Sequence, residues 1–141
     1  MKTSARNQLS GKVTAIHKGA VNAEVEISIS GGGSIVSQIT LPSLEHLGLK
    51  TGSDVFALVK SSWIILGTGE TEPKVSARNR LKGKITKVSA GAVNSEIDLD
   101  IAGGNKIVAT ITNGSVASLG LAQGTTAWDL FKAGSVILGV A

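Results

Sequence analysis

The sequence predicts an all-β fold built twice, and three observations carry that reading. Apolar and polar residues alternate with period 2 along much of the chain, 18 of its 141 residues are Gly against 2 Pro, and it repeats itself without a gap. The repeat is set by S-A-R-N at 4–7 and again at 76–79, an offset of 72 residues (76 − 4 = 72). Residues 4–67 then lie over 76–139, with about half of the positions identical and most others exchanging Val, Ile and Leu. That period is far longer than a solenoid repeat, so each copy is expected to be a small domain. The predicted domains are 1–69 and 76–141, joined by a linker at 70–75 within the Gly-, Thr- and Pro-bearing string GTGETEPKV (67–75).

Within the first copy, Leu9, Gly11, Val13 and Ala15 alternate with polar residues and predict the first strand. Val25, Ile27 and Ile29 predict a second, and Ile35 with Ile39 a third. Lys18–Asn22 and Ser30–Ser34 carry the Gly and Asn that tight connections need. The string LPSLEHLGL predicts one short helix, with Ser43 as its cap, Leu44 and Leu47 on its apolar side and Gly48 at its end. Asp54–Lys60 and Trp63–Leu66 supply two further strands. Five strands with a helix between the third and fourth predict an OB-like β-barrel, so the whole chain is expected to be two tandem OB-like five-stranded barrels. A copy of this size is marginal alone, which favours packing of the copies or oligomerisation.

Composition removes several functions. The absence of Cys excludes disulfides, thiolate metal sites and thiol nucleophiles. No stretch is apolar and long enough to span a membrane, and MKTSARNQLSGK has no signal-like apolar core, so the expected location is cytoplasmic. A net charge of +4 is weak support for nucleic acid. His17 and His46 align with Ser89 and Ser118, so the copies share no histidine metal site. No His, Cys or Asp is repeated beside the repeated serines, so a nucleophile–base pair is missing and catalysis is not expected.

The repeat also acts as a filter. Apolar matches follow from a shared fold, whereas polar matches outside turns suggest a shared task. They are Ser4/Ser76, Arg6/Arg78, Asn7/Asn79, Lys12/Lys84, Thr14/Thr86, Glu24/Glu96, Thr40/Thr112, Ser43/Ser115 and Lys60/Lys132. Nearly all can donate hydrogen bonds, and Glu24/Glu96 is the obligate acceptor. Thr40 and Ser43 bracket a helix start, where free N–H groups favour an anion. Hydroxyls, a guanidinium, an ammonium and free amides suit a fully deprotonated tetrahedral dianion such as molybdate, tungstate or sulfate. Hydrogen phosphate suits less, because its proton needs an acceptor.

SARN followed by G-x-[VI], the G-A-V-N turn, the ITxxS segment and the LxxK strand, in this order in both copies, resemble the molybdate-binding Mop domain of the TOBE family. The resemblance covers nearly the whole chain and marks it as similar to a tandem, di-Mop molbindin. It implies a cytoplasmic store for molybdate or tungstate, with no catalytic cofactor and no nucleic-acid or membrane partner. It also implies a homotrimer with anions at interfaces between domains. The family's main site maps onto Ser4, Arg6, Thr40, Ser43, Lys60 and Ser61, and in the second copy onto Ser76, Arg78, Thr112, Ser115 and Lys132. Ala133 stands opposite Ser61 and offers only its backbone N–H. The G-A-V-N turns, with Val21, Asn22, Val93 and Asn94, are candidates for a second, axial class of site.

Each assignment has a structural competitor. SARN fits an exposed strand edge, Thr40 and Ser43 fit strand-end and cap roles, and Lys60/Lys132 fits a solvated strand end. Lys12/Lys84 fits a solvated face, and Glu24/Glu96 fits a surface ion pair. The rival function is an OB-type nucleic-acid module, which stacks bases on aromatic side chains. Phe56, Trp63, Trp128 and Phe131 lie in apolar runs and read as core instead.

Overall fold

The computed structural model describes residues 2–141. The first copy contributes β1 (Asn7–Lys18), β2 (Asn22–Ile29), β3 (Ser34–Thr40), α1 (Leu41–His46), β4 (Asp54–Val59) and β5 (Ile65–Thr68). The second contributes β6 (Asn79–Ala90), β7 (Asn94–Asp100), β8 (Lys106–Thr112), α2 (Asn113–Leu119), β9 (Thr126–Phe131) and β10 (Ile137–Gly139). One-turn 3-10 segments follow β4 at Ser61–Trp63 and β9 at Ala133–Ser135. Period-2 alternation is realised directly: Asn7, Leu9, Gly11 and Val13 are buried along β1 while the residues between them are exposed.

Two antiparallel five-stranded sheets result, with orders β10-β4-β1-β2-β3 and β5-β9-β6-β7-β8. This corrects the expectation of two tandem OB-like five-stranded barrels. Each sheet is open, because no backbone ladder joins β3 to β10 or β8 to β5. Moreover, each takes its fifth strand from the other copy: β10 pairs with β4 through Leu138 opposite Ala57, and β5 pairs with β9 through Leu66 opposite Asp129. The exchanged strands are short, spanning only 65–68 and 137–139. Gly67 and Thr68, at the start of the string GTGETEPKV, belong to β5 and precede the expected linker at 70–75.

Three repeated features shape the sheets and hold the copies together. Thr14 and Thr86 fall at β-bulges, where the register slips by one, and their hydroxyls donate to the carbonyls of Glu26 and Asp98 at 3.2 Å each. Gly11 lets β1 lie close over β2, since a Cβ there would stand 2.3 Å from the Ser28 carbonyl oxygen. The β2–β3 hairpin tips of the two copies meet glycine to glycine. A Cβ on Gly103 would stand 2.2 Å from the Gly31 oxygen, and Asn105 donates to the Ser30 carbonyl at 2.7 Å.

Residues of both copies form one hydrophobic cluster, from Leu9, Val25 and Ile35 through Ile85, Ile97 and Leu138. The copies thus share a core, as their individual size requires. Two local expectations also change. Thr40, not Ser43, caps α1, its hydroxyl accepting from the Ser43 amide at 3.2 Å. Trp63, read as core, lies in a 3-10 turn and is 43% exposed, because the chain turns out of the sheet after Lys60. Trp128 and Phe131 are buried as expected, and Phe56 is half-buried.

Candidate functional site

The SARN segments sit at the seam between copies. Asn7 and Asn79 are buried, and each side-chain amide pairs with one strand residue of the opposite copy. Asn7 accepts from the Val108 amide at 2.7 Å and donates to its carbonyl at 2.9 Å; Asn79 does the same with Val36, both bonds at 2.8 Å. An asparagine amide carries one donor edge and one acceptor edge, so it substitutes for a strand neighbour at that point. The repeated Asn is thus a clamp between copies, and it fixes where the preceding Arg emerges.

That placement brings the predicted residues together across the copies. One open cleft of about 1350 Å³ is lined by Thr40 and Ser43 of the first copy and by Ser76, Arg78, Lys132 and Ala133 of the second. Asn22, Gln38 and His46 share the wall, with Ile65, Val136 and Ile137 as its apolar part. By the repeat, the equivalent positions are Ser4, Arg6, Lys60 and Ser61 with Thr112 and Ser115. Arg6 there reaches Glu96, two residues along β7 from Asn94, which pairs with Thr112. Ser61 shares a hydrogen bond of 2.8 Å with Thr110, again across the seam. Residues at equivalent repeat positions therefore do not form two separate within-copy groups.

At the helix starts, each threonine organises the serine three residues on. The Thr40 hydroxyl donates to Ser43 Oγ at 2.9 Å, and Thr112 and Ser115 share a bond of 2.8 Å. Lys60 ends just after β4, its Nζ 5.9 Å from the centre of the Trp63 ring; Ser135 stands at that position in the second copy. Val21 and Val93 are highly exposed, at 69% and 70%. Their carbonyls accept from the first residues of α1 and α2, Leu41 and Asn113, at 3.0 and 2.9 Å. The G-A-V-N turns thus buttress the helix starts, and Asn22 lines the same cleft as Thr40.

Glu24 and Glu96 emerge as partners of the site. Arg78 Nη1 donates to both Glu24 carboxylate oxygens, at 2.7 and 2.8 Å, and Arg6 Nη1 donates to one carboxylate oxygen of Glu96. Both are the surface ion pairs expected of these glutamates, but their partners are the SARN arginines of the opposite copy. Their signal was present in the repeat. His46 and Gln38 were missed as lining residues, because neither is repeated: Ser118 and Thr110 stand in their places. Among the described residues no cluster of three or more His, Cys, Asp or Glu side chains could hold a metal ion.

The TOBE domain profile matches residues 3–66 and again 75–138. Over 138 residues the chain is 46% identical to the molybdenum-pterin-binding protein MopA of Rhodobacter capsulatus, covering 98% of this chain and 52% of that protein. It is 44% identical over 140 residues to the molybdenum transport protein ModE of Azotobacter vinelandii, covering 99% of this chain and again 52% of the relative. The chain therefore spans about half the length of these two proteins. A crystal structure of the cytoplasmic molybdate-binding protein ModG, in a form with molybdate bound, superimposes over the full length of both chains with a TM-score of 0.96 at 44% identity. The chain belongs to the TOBE-domain family, with two TOBE domains in tandem.

Proposed function

We propose that this chain is a non-catalytic molybdate-binding protein, able to take tungstate, that stores and buffers the oxyanion in the cytoplasm. The observation that carries this reading is the convergence of Thr40, Ser43, Ser76, Arg78 and Lys132 on one cleft. These side chains offer hydroxyl, guanidinium and ammonium hydrogens, which match an anion whose four oxygens all accept. The solved ModG, alike along its whole length and holding molybdate, supports the same ligand and the same location.

In this proposal one anion is held by Thr40, Ser43, Ser76, Arg78 and Lys132 with the Ala133 amide, and a second by Thr112, Ser115, Ser4, Arg6, Lys60 and Ser61. The repeats 1–69 and 76–141, joined by 70–75, are the inherited units, while each site draws on both. Ala133 opposite Ser61 removes one hydroxyl, so the first of these sites binds more weakly. A homotrimer is proposed in addition, with Val21, Asn22, Val93 and Asn94 facing its axis as a second class of site. The exposure of Val21 and Val93 supports that placement.

A nucleic-acid role is disfavoured because stacking surfaces are scarce: Trp128 and Phe131 are buried, which leaves Trp63 as the exposed tryptophan. Isothermal titration with sodium molybdate tests the reading. Saturable binding that is abolished in the Arg6→Ala/Arg78→Ala double variant is expected; a folded wild-type chain that releases no heat overturns it. Native mass spectrometry on the same samples reads subunit number and bound anions, with three chains expected.

A further inference from the structure

Both arginines proposed to hold an anion already carry a carboxylate. Glu24/Glu96 is the one acidic residue kept identical between copies. In each case it reaches across the seam to the SARN arginine of the other copy, Glu24 to Arg78 and Glu96 to Arg6. The next acidic position on these strands, Glu26/Asp98, behaves differently: Glu26 meets His17, 3.2 Å away. Glu24 lies on β2 opposite Gln38, two residues from the Asn22–Thr40 pair, and Asn22, Gln38, Thr40 and Arg78 all line the cleft. A negative charge therefore stands beside the donor-lined cleft and engages Arg78, and another engages Arg6 at the equivalent repeat position.

We propose that Glu24 and Glu96 are built-in counterions that compete with the bound oxyanion for Arg78 and Arg6 and so set its affinity below what the donors alone would give. This inference rests on the anion-binding reading above. Two terms act in the same direction. The guanidinium must be shared or released before the oxyanion can take it. The carboxylate also repels a dianion placed beside the arginine, and at a partly exposed site that repulsion is screened but not removed. Because the pairs are half-exposed, their own strength is small, and a doubly charged ligand displaces them readily. The device suits a store, which must let its cargo go, and it explains why an acceptor persists in both copies among groups that otherwise donate.

The test uses the full chain with Glu24→Gln, Glu96→Gln and the double substitution, titrated calorimetrically with sodium molybdate at fixed pH and ionic strength. Gln keeps the length and one acceptor while removing the charge. Each single variant is expected to tighten one class of site by about threefold, the scale of an exposed ion pair, and the double variant both classes. The advantage over wild type should shrink as sodium chloride is raised. Glu24→Ala and Glu96→Ala, checked for folding by circular dichroism, should shift affinity in the same direction. Unchanged or weaker binding in folded variants, with wild type binding normally, overturns the inference alone; a wild type that binds no molybdate overturns the functional reading with it.

Discussion

Asp129 carries both carboxylate oxygens into the second sheet with no hydrogen-bond partner for either, where the repeat has Ala57. Burial pushes its pKa up to about 8 from 3.8. In the unfolded chain the group ionises near pH 4, whereas in the folded chain it stays protonated until about pH 8. Folding therefore binds a proton across that window, and stability falls by up to about 1.4 kcal/mol for each unit by which the pH rises from about 4 to about 8. Asp129→Ala is expected to raise the urea midpoint at pH 7, by more at pH 8 and by little at pH 4; a gain independent of pH would remove ionisation as the cause. Asn7 and Asn79 are the opposite kind of buried polar residue, with every edge used. Asn7→Ala leaves the Val108 amide and carbonyl without partners and is expected to cost about 2 kcal/mol or more in chemical denaturation. The SARN string was visible as a repeat, and the resemblance implied its Arg for the site, but that its Asn clamps the opposite copy was not visible. Both are polar and duplicated, and only burial separates them.

Among the elements, the exchanged strands have the least sequence signature and the largest structural effect. β5 and β10 were legible as short apolar runs, yet nothing local to Ile65–Thr68 or Ile137–Gly139 names the sheet each joins. Their partner is chosen by ladder hydrogen bonds with residues far away in the chain. Leu138 is buried on β10, so Leu138→Ala is expected to destabilise by about 2–5 kcal/mol. Its effect should appear as faster hydrogen exchange at Asp54–Val59, the β4 strand that β10 covers, although that strand lies in the other copy. Exchange that accelerates only within the second sheet would contradict the pairing. At the hairpin tips, Gly103 has φ +74 and no room for a side chain. Gly103→Ala should therefore lower stability by more than about 1 kcal/mol through strain and displacement of Gly31.

On the scale of the whole molecule, two marginal domains become one body by sharing a core and trading edge strands. The groups proposed to bind anions come to lie on the seam that this exchange creates. Ligand held on that seam must stabilise the packed state. The thermal midpoint is expected to rise steadily with molybdate concentration in wild type and to stay flat in the Arg6→Ala/Arg78→Ala variant; equal rises in both would move the binding elsewhere. Strand positions, the helix sites, the tandem architecture and the repeated donors were all determined by the sequence, because alternation, turn residues and duplication are local or directly comparable properties of the string. Barrel closure was misjudged, and the grouping of Thr40 and Ser43 with Arg78 and Lys132 was invisible. Both depend on which distant edge a short strand pairs with, and that choice is made only when the assembled core leaves one ladder within reach.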